Sequence, residues 1–302
     1  MFQSLQPAPP DPILGLSAAF REDSNPNKIN LGVGIYKDAA GKTPTLTSVA
    51  EAENRLASSG AEKGYLPIAG SPDYRQRVLS LMLGESHEAV ASGRALTAQT
   101  PGGTGALRVA ADFLRQQFPT STVWMSNPTW ANHGNIFSAA GVKTATYAYY
   151  NAESKSLNFD AMLADLNTIP AGNVLLLHGC CHNPSGIDPT AEQWKQIGDV
   201  IAQRELLPLV DFAYQGFGDG LEEDAAGLRE LLRPGAELLV CSSFSKNFGL
   251  YRERTGALTV VSQDAHSAWA ASSHIEKAIR SNYSHPPYHG AGIVETILGD
   301  AQ

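Results

Sequence analysis

Ser242-Ser243-Phe244-Ser245-Lys246-Asn247-Phe248-Gly249-Leu250-Tyr251-Arg252-Glu253-Arg254 follows the apolar run Leu238-Leu239-Val240-Cys241. The apolar run predicts a buried strand. The residues after it form a small, polar, cationic turn. Lys246 stands among three hydroxyls, Ser242, Ser243 and Ser245, with Arg252 and Arg254 close behind. Such a turn suits two tasks. One is holding a phosphate. The other is presenting an amine that gives up its proton readily, because nearby cations and loss of water both disfavour the ammonium form. Read alone, the stretch fits a solvated surface lysine after a buried strand just as well.

The chain around it has 302 residues, 43% hydrophobic and 17% charged. That is ample for a large core with a smaller partner domain, and it is the composition of a globular protein. A formal net charge of −8 argues against nucleic acid as the main partner. It leaves room for a local basic pocket and small anionic substrates. The three cysteines, Cys180, Cys181 and Cys241, do not read as a disulfide framework and fit a reducing compartment. No apolar run is long enough to span a membrane. Met1–Pro12 lacks the features of a signal peptide, so the cytoplasm is the expected location.

Outward from Lys246, strand-like and helix-like segments alternate. Residues 1–30 are proline-rich, with one helix-like segment at Ile13–Phe20, and read as an arm. Ile29–Ile35 is a short apolar run whose Gly32 and Gly34 fit a simple turn or a close backbone approach. Helices are expected at Ser48–Ser58 and Ser71–Leu83, the second with Ser71 as N-cap and Pro72 at the first helical position. Ala95–Thr100 reads as a strand running into the glycine-rich turn Gly102–Gly105, followed by a helix from Ala106 to Gln117. Further strands are expected at Thr122–Ser126, Lys143–Tyr149, Asn173–His178, Leu207–Asp211, Leu238–Ser242 and Gly256–Val261. Helices fill the intervals at Asn132–Gly141, Phe159–Asn167, Thr190–Glu205 and Ala225–Leu232, with a last one from His266 to about Arg280. This alternation predicts an α/β fold with a mostly parallel central sheet flanked by helices.

Ligands of open α/β sheets bind beyond the carboxyl ends of the strands. Gly103, Thr104, Trp130, His182, Asn183, Asp211, Tyr214, Ser243, Ser245, Lys246 and Arg254 all fall at or just beyond strand ends. Each has a bland reading alone: a turn, a helix cap or a core aromatic. Together they offer an amine, an acid, an aromatic plate, a phenol and a phosphate cup. Pyridoxal phosphate (PLP) uses all five. Asp211 can hold the proton on the pyridine nitrogen, and Asn183 and Tyr214 can donate to the ring oxygen. Trp130 can cover the flat cationic ring. Gly103, Thr104, Ser243, Ser245 and Arg254 can hold the phosphate. Adjacent cysteines do not supply the usual ligand spacing, so no metal is expected. The Gly102–Gly105 turn lacks dinucleotide spacing, which excludes a nucleotide-dependent oxidoreductase.

The chain also resembles the class I aspartate and aromatic amino acid aminotransferases nearly end to end. The resemblance runs through Asp11–Leu14, Asn30–Tyr36, Gly102–Leu107, Asn127–His133, His178–Gly186, Asp211–Phe217, Ser242–Arg254 and Ile279–Ser284. It implies a two-domain, fold-type-I PLP enzyme working as a homodimer with active sites at the subunit interface. Lys246 would be the Schiff-base lysine and proton-transfer base, and His133 would support Asp211. Tyr65 would reach the neighbouring subunit's phosphate, and Gly34 would lie beside the substrate carboxylate. Arg280, also serving the neighbour, would pair with the distal carboxylate of aspartate or glutamate; its helical surroundings alone suggest only a surface charge. Ser185 stands where relatives usually carry threonine. The implied domains are an N-terminal arm with part of a small domain (1–40), a large PLP-binding domain (41–290) and the start of an interdomain segment (291–302). Relatives continue past Gln302 with the rest of the small domain, including an arginine for the substrate α-carboxylate. Three readings follow: transamination of aspartate or glutamate with a 2-oxo acid, dual aspartate and aromatic specificity, or a PLP-binding chain with little turnover.

Overall fold

A computed structural model describes residues 2–7, 14–30, 32 and 34–300. Of the family-like stretches, Asp11, Pro12, Ile13, Leu31 and Val33 lie outside the described residues, as do Pro9 and Pro10 of the arm. The chain divides into two compact units, Met1–Pro44 and Thr45–Gln302.

The first unit holds a short 3-10 turn at Phe2–Ser4 and helix α1, Leu14–Glu22. None of its residues whose burial is described is buried. Local polar contacts order it instead. The Lys28 ammonium donates to the carbonyl of Phe20 at 2.6 Å, and the Asp38 carboxylate accepts from the backbone N–H of Ala40 and Lys42.

The second unit alternates helices and strands. It opens with α2 (Thr47–Ser58), α3 (Pro72–Leu83), α4 (Glu88–Ala91), β1 (Ala95–Pro101) and α5 (Gly102–Gln117). It continues through β2 (Thr122–Asn127), α6 (Asn132–Ala139), β3 (Lys143–Ala148), the small hairpin β4 (Tyr150–Asn151) and β5 (Ser156–Leu157), α7 (Phe159–Leu166) and β6 (Val174–His178). Then come α8 (Ala191–Arg204), β7 (Leu207–Phe212), α9 (Ala226–Glu230), β8 (Leu238–Ser243), β9 (Thr255–Val261), α10 (Ala265–Asn282) and α11 (His289–Leu298). Helix starts follow their caps. Ser71 Oγ accepts from Tyr74 N–H at the head of α3, and Thr190 with Gln193 forms a reciprocal capping box at α8.

Seven strands form one sheet in the order β1-β9-β8-β7-β6-β2-β3. All run parallel except β9, which is antiparallel to both of its neighbours, β1 and β8. The carboxyl ends of the parallel strands therefore share one edge with the amino end of β9. The sheet is covered on both faces, as a parallel sheet must be. In β6, Leu175 and Leu177 enter one hydrophobic core while Val174 and Leu176 enter the other. Each such leucine, fully removed from water, contributes about 1.5–3 kcal/mol. Tyr74, wholly buried, donates its hydroxyl to the carbonyl of Gly256 at 2.8 Å and so pins α3 to the start of β9.

One expectation is corrected. Gly102–Gly105 is not a turn ahead of the helix but the first turn of α5 itself. The 3-10 turn at Phe2–Ser4, α4, the β4–β5 hairpin and α11 have no expected counterpart.

Candidate active site

The functional groups collect along the shared edge of the sheet. Asp211, near the end of β7, pairs in register with His178 of β6 on one side and Cys241 of β8 on the other. Its carboxylate can only accept, so the 2.9 Å contact with His133 is a hydrogen bond donated by Nε2–H. That assigns the next bonds in turn. His133 Nδ1 accepts from the Thr129 hydroxyl at 2.8 Å, and Thr129 Oγ1 accepts from His178 Nε2–H at 3.2 Å. His178 Nδ1 then accepts from the backbone N–H of Asn183. Every donor in this network is used once, and His178 is neutral in it. Burial drives the His178 pKa down to about 4, which agrees with that assignment. Burial works against the Asp211 carboxylate, but the hydrogen bond from His133 and the electrostatics of His133, His178 and Lys246 hold its pKa below the ordinary value.

Lys246 lies in the turn after β8. Its ammonium sits over the Tyr214 ring, 5.2 Å from the centroid. Burial lowers the Lys246 pKa and Arg254 adds to the effect, while Asp211 opposes it. The Tyr214 hydroxyl meets the side-chain amide of Asn183 at 3.5 Å. Trp130 is half-buried, edge-on to the His133 ring at 5.2 Å between centroids. Amine, acid, phenol, amide and indole thus come from the ends of four strands, β2, β6, β7 and β8.

A cradle for an anion adjoins them. Helix α5 begins at Gly102, Gly103 and Thr104, and Pro101 at its N-cap brings no side-chain cap. The first N–H groups of the helix are therefore free for a ligand, at the positive end of its dipole. Ser243 and Ser245 are buried, and the Arg254 guanidinium donates to Ser245 Oγ at 3.4 Å. Gly102 has φ +76°, and a Cβ there would lie 2.6 Å from Arg254 Nη2. The backbone and the guanidinium approach each other as closely as a glycine allows. These residues fit PLP: the uncapped helix end and Arg254 would hold its phosphate, and Asp211 and Lys246 would serve its ring.

The other expected residues stand differently. Tyr65 is 92% exposed, with its ring edge-on to His285 at 5.2 Å. Arg280 is exposed on the last turn of α10 and donates to the Ser284 hydroxyl. Among the described residues, neither makes a hydrogen bond or ring contact with the Lys246 group. Both lie on segments tied to β1 through Gln99. Its side chain donates to the Pro287 carbonyl at 2.6 Å and accepts from Ser71 N–H, and its backbone N–H donates to Ala69. Gly34, in the first unit, is exposed, and an added Cβ there would meet nothing within 4 Å. Sequence reasoning missed Thr129 and His178. Their one available signal was position, since both flank strand ends next to residues already singled out. His182 joins a second buried pair of contacts, to Ser126 Oγ at 2.9 Å and Ser185 Oγ at 2.8 Å, and stacks on Tyr149 at 3.8 Å. The serine at 185 keeps the hydroxyl that this contact needs.

A sheet edge that gathers a desolvated lysine, a buried acid and an anion cradle defines an enzyme built around a phosphorylated ring cofactor. The family model for aminotransferase class I and II matches residues 26–302, and the chain belongs to that family. It is 54% identical over 300 residues to the aspartate aminotransferase of Salmonella typhi, covering 99% of this chain and 76% of that one. It is 48% identical to an aromatic-amino-acid aminotransferase of Pseudomonas aeruginosa, covering 100% of this chain and 75% of the relative. An aromatic-amino-acid aminotransferase from Burkholderia pseudomallei, solved covalently bound to pyridoxal phosphate, superposes with a TM-score of 0.96 at 45% identity, over 99% of this chain and 75% of that one. The protein is a PLP-dependent aminotransferase.

Proposed function

We propose that aspartate or glutamate is the preferred amino donor, with Lys246 as the residue that carries the cofactor and moves the proton. The observation that carries the role of Lys246 is its convergence with Tyr214 and Asp211 at one sheet edge, beside the uncapped start of α5, and the donor preference is supported by the 54% identical aspartate aminotransferase relative. PLP, when bound, supplies an electron sink that lets the α-hydrogen of an amino acid leave as a proton. The chain's own residues do the rest. Asp211, kept charged by His133, holds a proton on the ring nitrogen. Tyr214 and Asn183 donate to the ring oxygen. Trp130 covers the ring face and excludes water. Gly103, Thr104, Ser243, Ser245 and Arg254 fix the phosphate. Lys246, as a free amine with a lowered pKa, would take the α-proton and return it elsewhere.

Arg280 is the proposed partner of the substrate's distal carboxylate, and Gly34 is proposed to lie beside the substrate carboxylate. Tyr65 is the proposed donor to a second subunit's phosphate. A tyrosine that is 92% exposed and an exposed arginine, both displayed beside the Gln99 junction, support a homodimer in which each copy completes the other's site; the cytoplasm is its proposed location. In this reading 41–290 forms the cofactor domain, 1–40 the arm with part of a small domain, and 291–302 the start of the segment between domains. Dual specificity toward aromatic amino acids is the second reading, favoured by the aromatic-amino-acid aminotransferase relative at 48% identity.

The test is Lys246→Ala on the 302-residue chain. The expected result is loss of the visible cofactor band that depends on a lysine Schiff base, and loss of half-transamination with aspartate by several orders of magnitude. Survival of both would remove Lys246 from this role.

A further inference from the structure

The turn that follows β7 is held by one carboxylate that takes no part in the site described above. Asp224 is only 7% exposed. Its Oδ2 accepts from the backbone N–H of Gly216 at 2.8 Å and of Gly218 at 2.9 Å, and its Oδ1 accepts from Asp219 N–H at 2.9 Å. A Cβ at Gly218 would run into the carboxylate, so the fit leaves no slack. The same turn begins at Tyr214, whose carbonyl accepts from Phe217 N–H at 2.9 Å. It also reaches the lysine segment directly. The side-chain amide of Asn247, next to Lys246 in the chain, donates to the carbonyl of Gln215 at 3.2 Å. Gln215, itself buried, donates its side-chain amide to the carbonyls of Leu81 and Leu221.

We propose that Asp224 is a positioning residue for the reaction. Through the amides of Gly216, Gly218 and Asp219 it fixes the turn that sets the Tyr214 phenol against Lys246, and the Asn247–Gln215 bond fastens the lysine segment to that turn. The physical reason is economy of freedom. A glycine-rich turn has many backbone conformations, and three charge-assisted hydrogen bonds to one buried acceptor leave it a single one. Without them, Tyr214 and Lys246 would sit at the ends of two independently moving connections. Displacement on the order of 1 Å at such a site costs about a hundredfold in rate.

The inference rests on the reading of Lys246 as the cofactor-bearing residue, and the experiment separates the two. The pH midpoint of the visible cofactor band is measured for the wild-type chain, Asp224→Asn, Asn247→Ala, Tyr214→Phe and the double variant Asp224→Asn/Tyr214→Phe. Asparagine keeps the shape but turns an NH2 toward backbone donors, so at least one of them loses its acceptor. The titratable groups facing Asp224 are Asp219 on its own turn and the Cys180 and Cys181 thiols after β6; burial raises the pKa of both thiols.

The expected result is that Asp224→Asn shifts the midpoint by at least about half a unit, a threefold change in proton affinity, in the same direction as Tyr214→Phe. In the Tyr214→Phe background the same change adds little, because the effect runs through the phenol. Asn247→Ala shifts the midpoint in the same direction, and it decides the matter alone if Asp224→Asn does not fold. An unmoved midpoint in Asp224→Asn, or in Asn247→Ala where that variant decides, overturns the inference. So does an equal shift by Asp224→Asn with and without Tyr214, since the clamp would then be merely structural. A wild-type band that persists in Lys246→Ala overturns the underlying reading instead.

Discussion

Asp211 stays charged in a dry place because a hydrogen bond from His133 and the electrostatics of its neighbours hold it there. The chain from Asn183 N–H through His178, Thr129 and His133 spends each donor once and delivers the last to the carboxylate. Its cost appears in acid. Burial takes the His178 pKa to about 4 and, for His182, burial with the nearby His178 takes it to about 3. In the unfolded chain both would titrate near 6.5. A pKa depressed by folding means that the unfolded state binds more protons as pH falls, so stability is lost going down from about 6.5 toward the folded values. We expect each imidazole to remove on the order of 1–2 kcal/mol between pH 7 and pH 5. Urea denaturation at the two pH values measures it, and His182→Gln should flatten the dependence. Carboxylate titration, including that of Asp211, would add its own loss only at lower pH. Of these side chains, Asp211 was legible as an acid at a strand end. His178 and Thr129 were not, because a histidine closing an apolar strand has no periodic signature, and a threonine in a turn has many uses.

Helix α5 shows how an element hides its own beginning. Glycine is about 1 kcal/mol poorer than alanine in a helix, so the run Gly102–Gly105 reads as a turn. The helix starts there nonetheless, because only a residue without Cβ lets the backbone meet Arg254 and leaves its N–H groups open. Gly102→Ala tests that account. The added Cβ would lie 2.6 Å from the guanidinium at φ +76°. We expect PLP affinity to fall about tenfold or more and stability to drop by about 1–2 kcal/mol. Cofactor titration and thermal melting, with and without PLP, read the two effects separately. The strands of this fold were plain in the sequence, since runs such as Val174-Leu175-Leu176-Leu177 suit a sheet buried on both faces. The reversal of β9 was not, because period and composition carry no direction.

At the scale of the whole molecule, the proposed dimer makes a prediction that a single chain cannot. Subunits carrying Lys246→Ala and subunits carrying Arg280→Ala should each be nearly inactive toward aspartate. Mixed and refolded together, they should regain activity in up to about a quarter of the sites, since a hybrid dimer has one site with both native residues. No recovery would mean that Arg280 does not serve a neighbour. Arg280 was visible only through family likeness, because its bonds within this chain are those of an ordinary surface residue. The reversed strand β9 has a last consequence at this scale. Because β8 ends and β9 begins at the same edge, residues 244–254 form one loop anchored at both feet to adjacent, paired strands. Lys246 and Arg254, the amine and the guanidinium of the proposed site, both ride on that loop, so its length helps to set their spacing. Lengthening or shortening it by one residue would detune catalysis while leaving the sheet intact. That makes this loop the place where a designer could retune the enzyme for a differently sized phosphorylated ring.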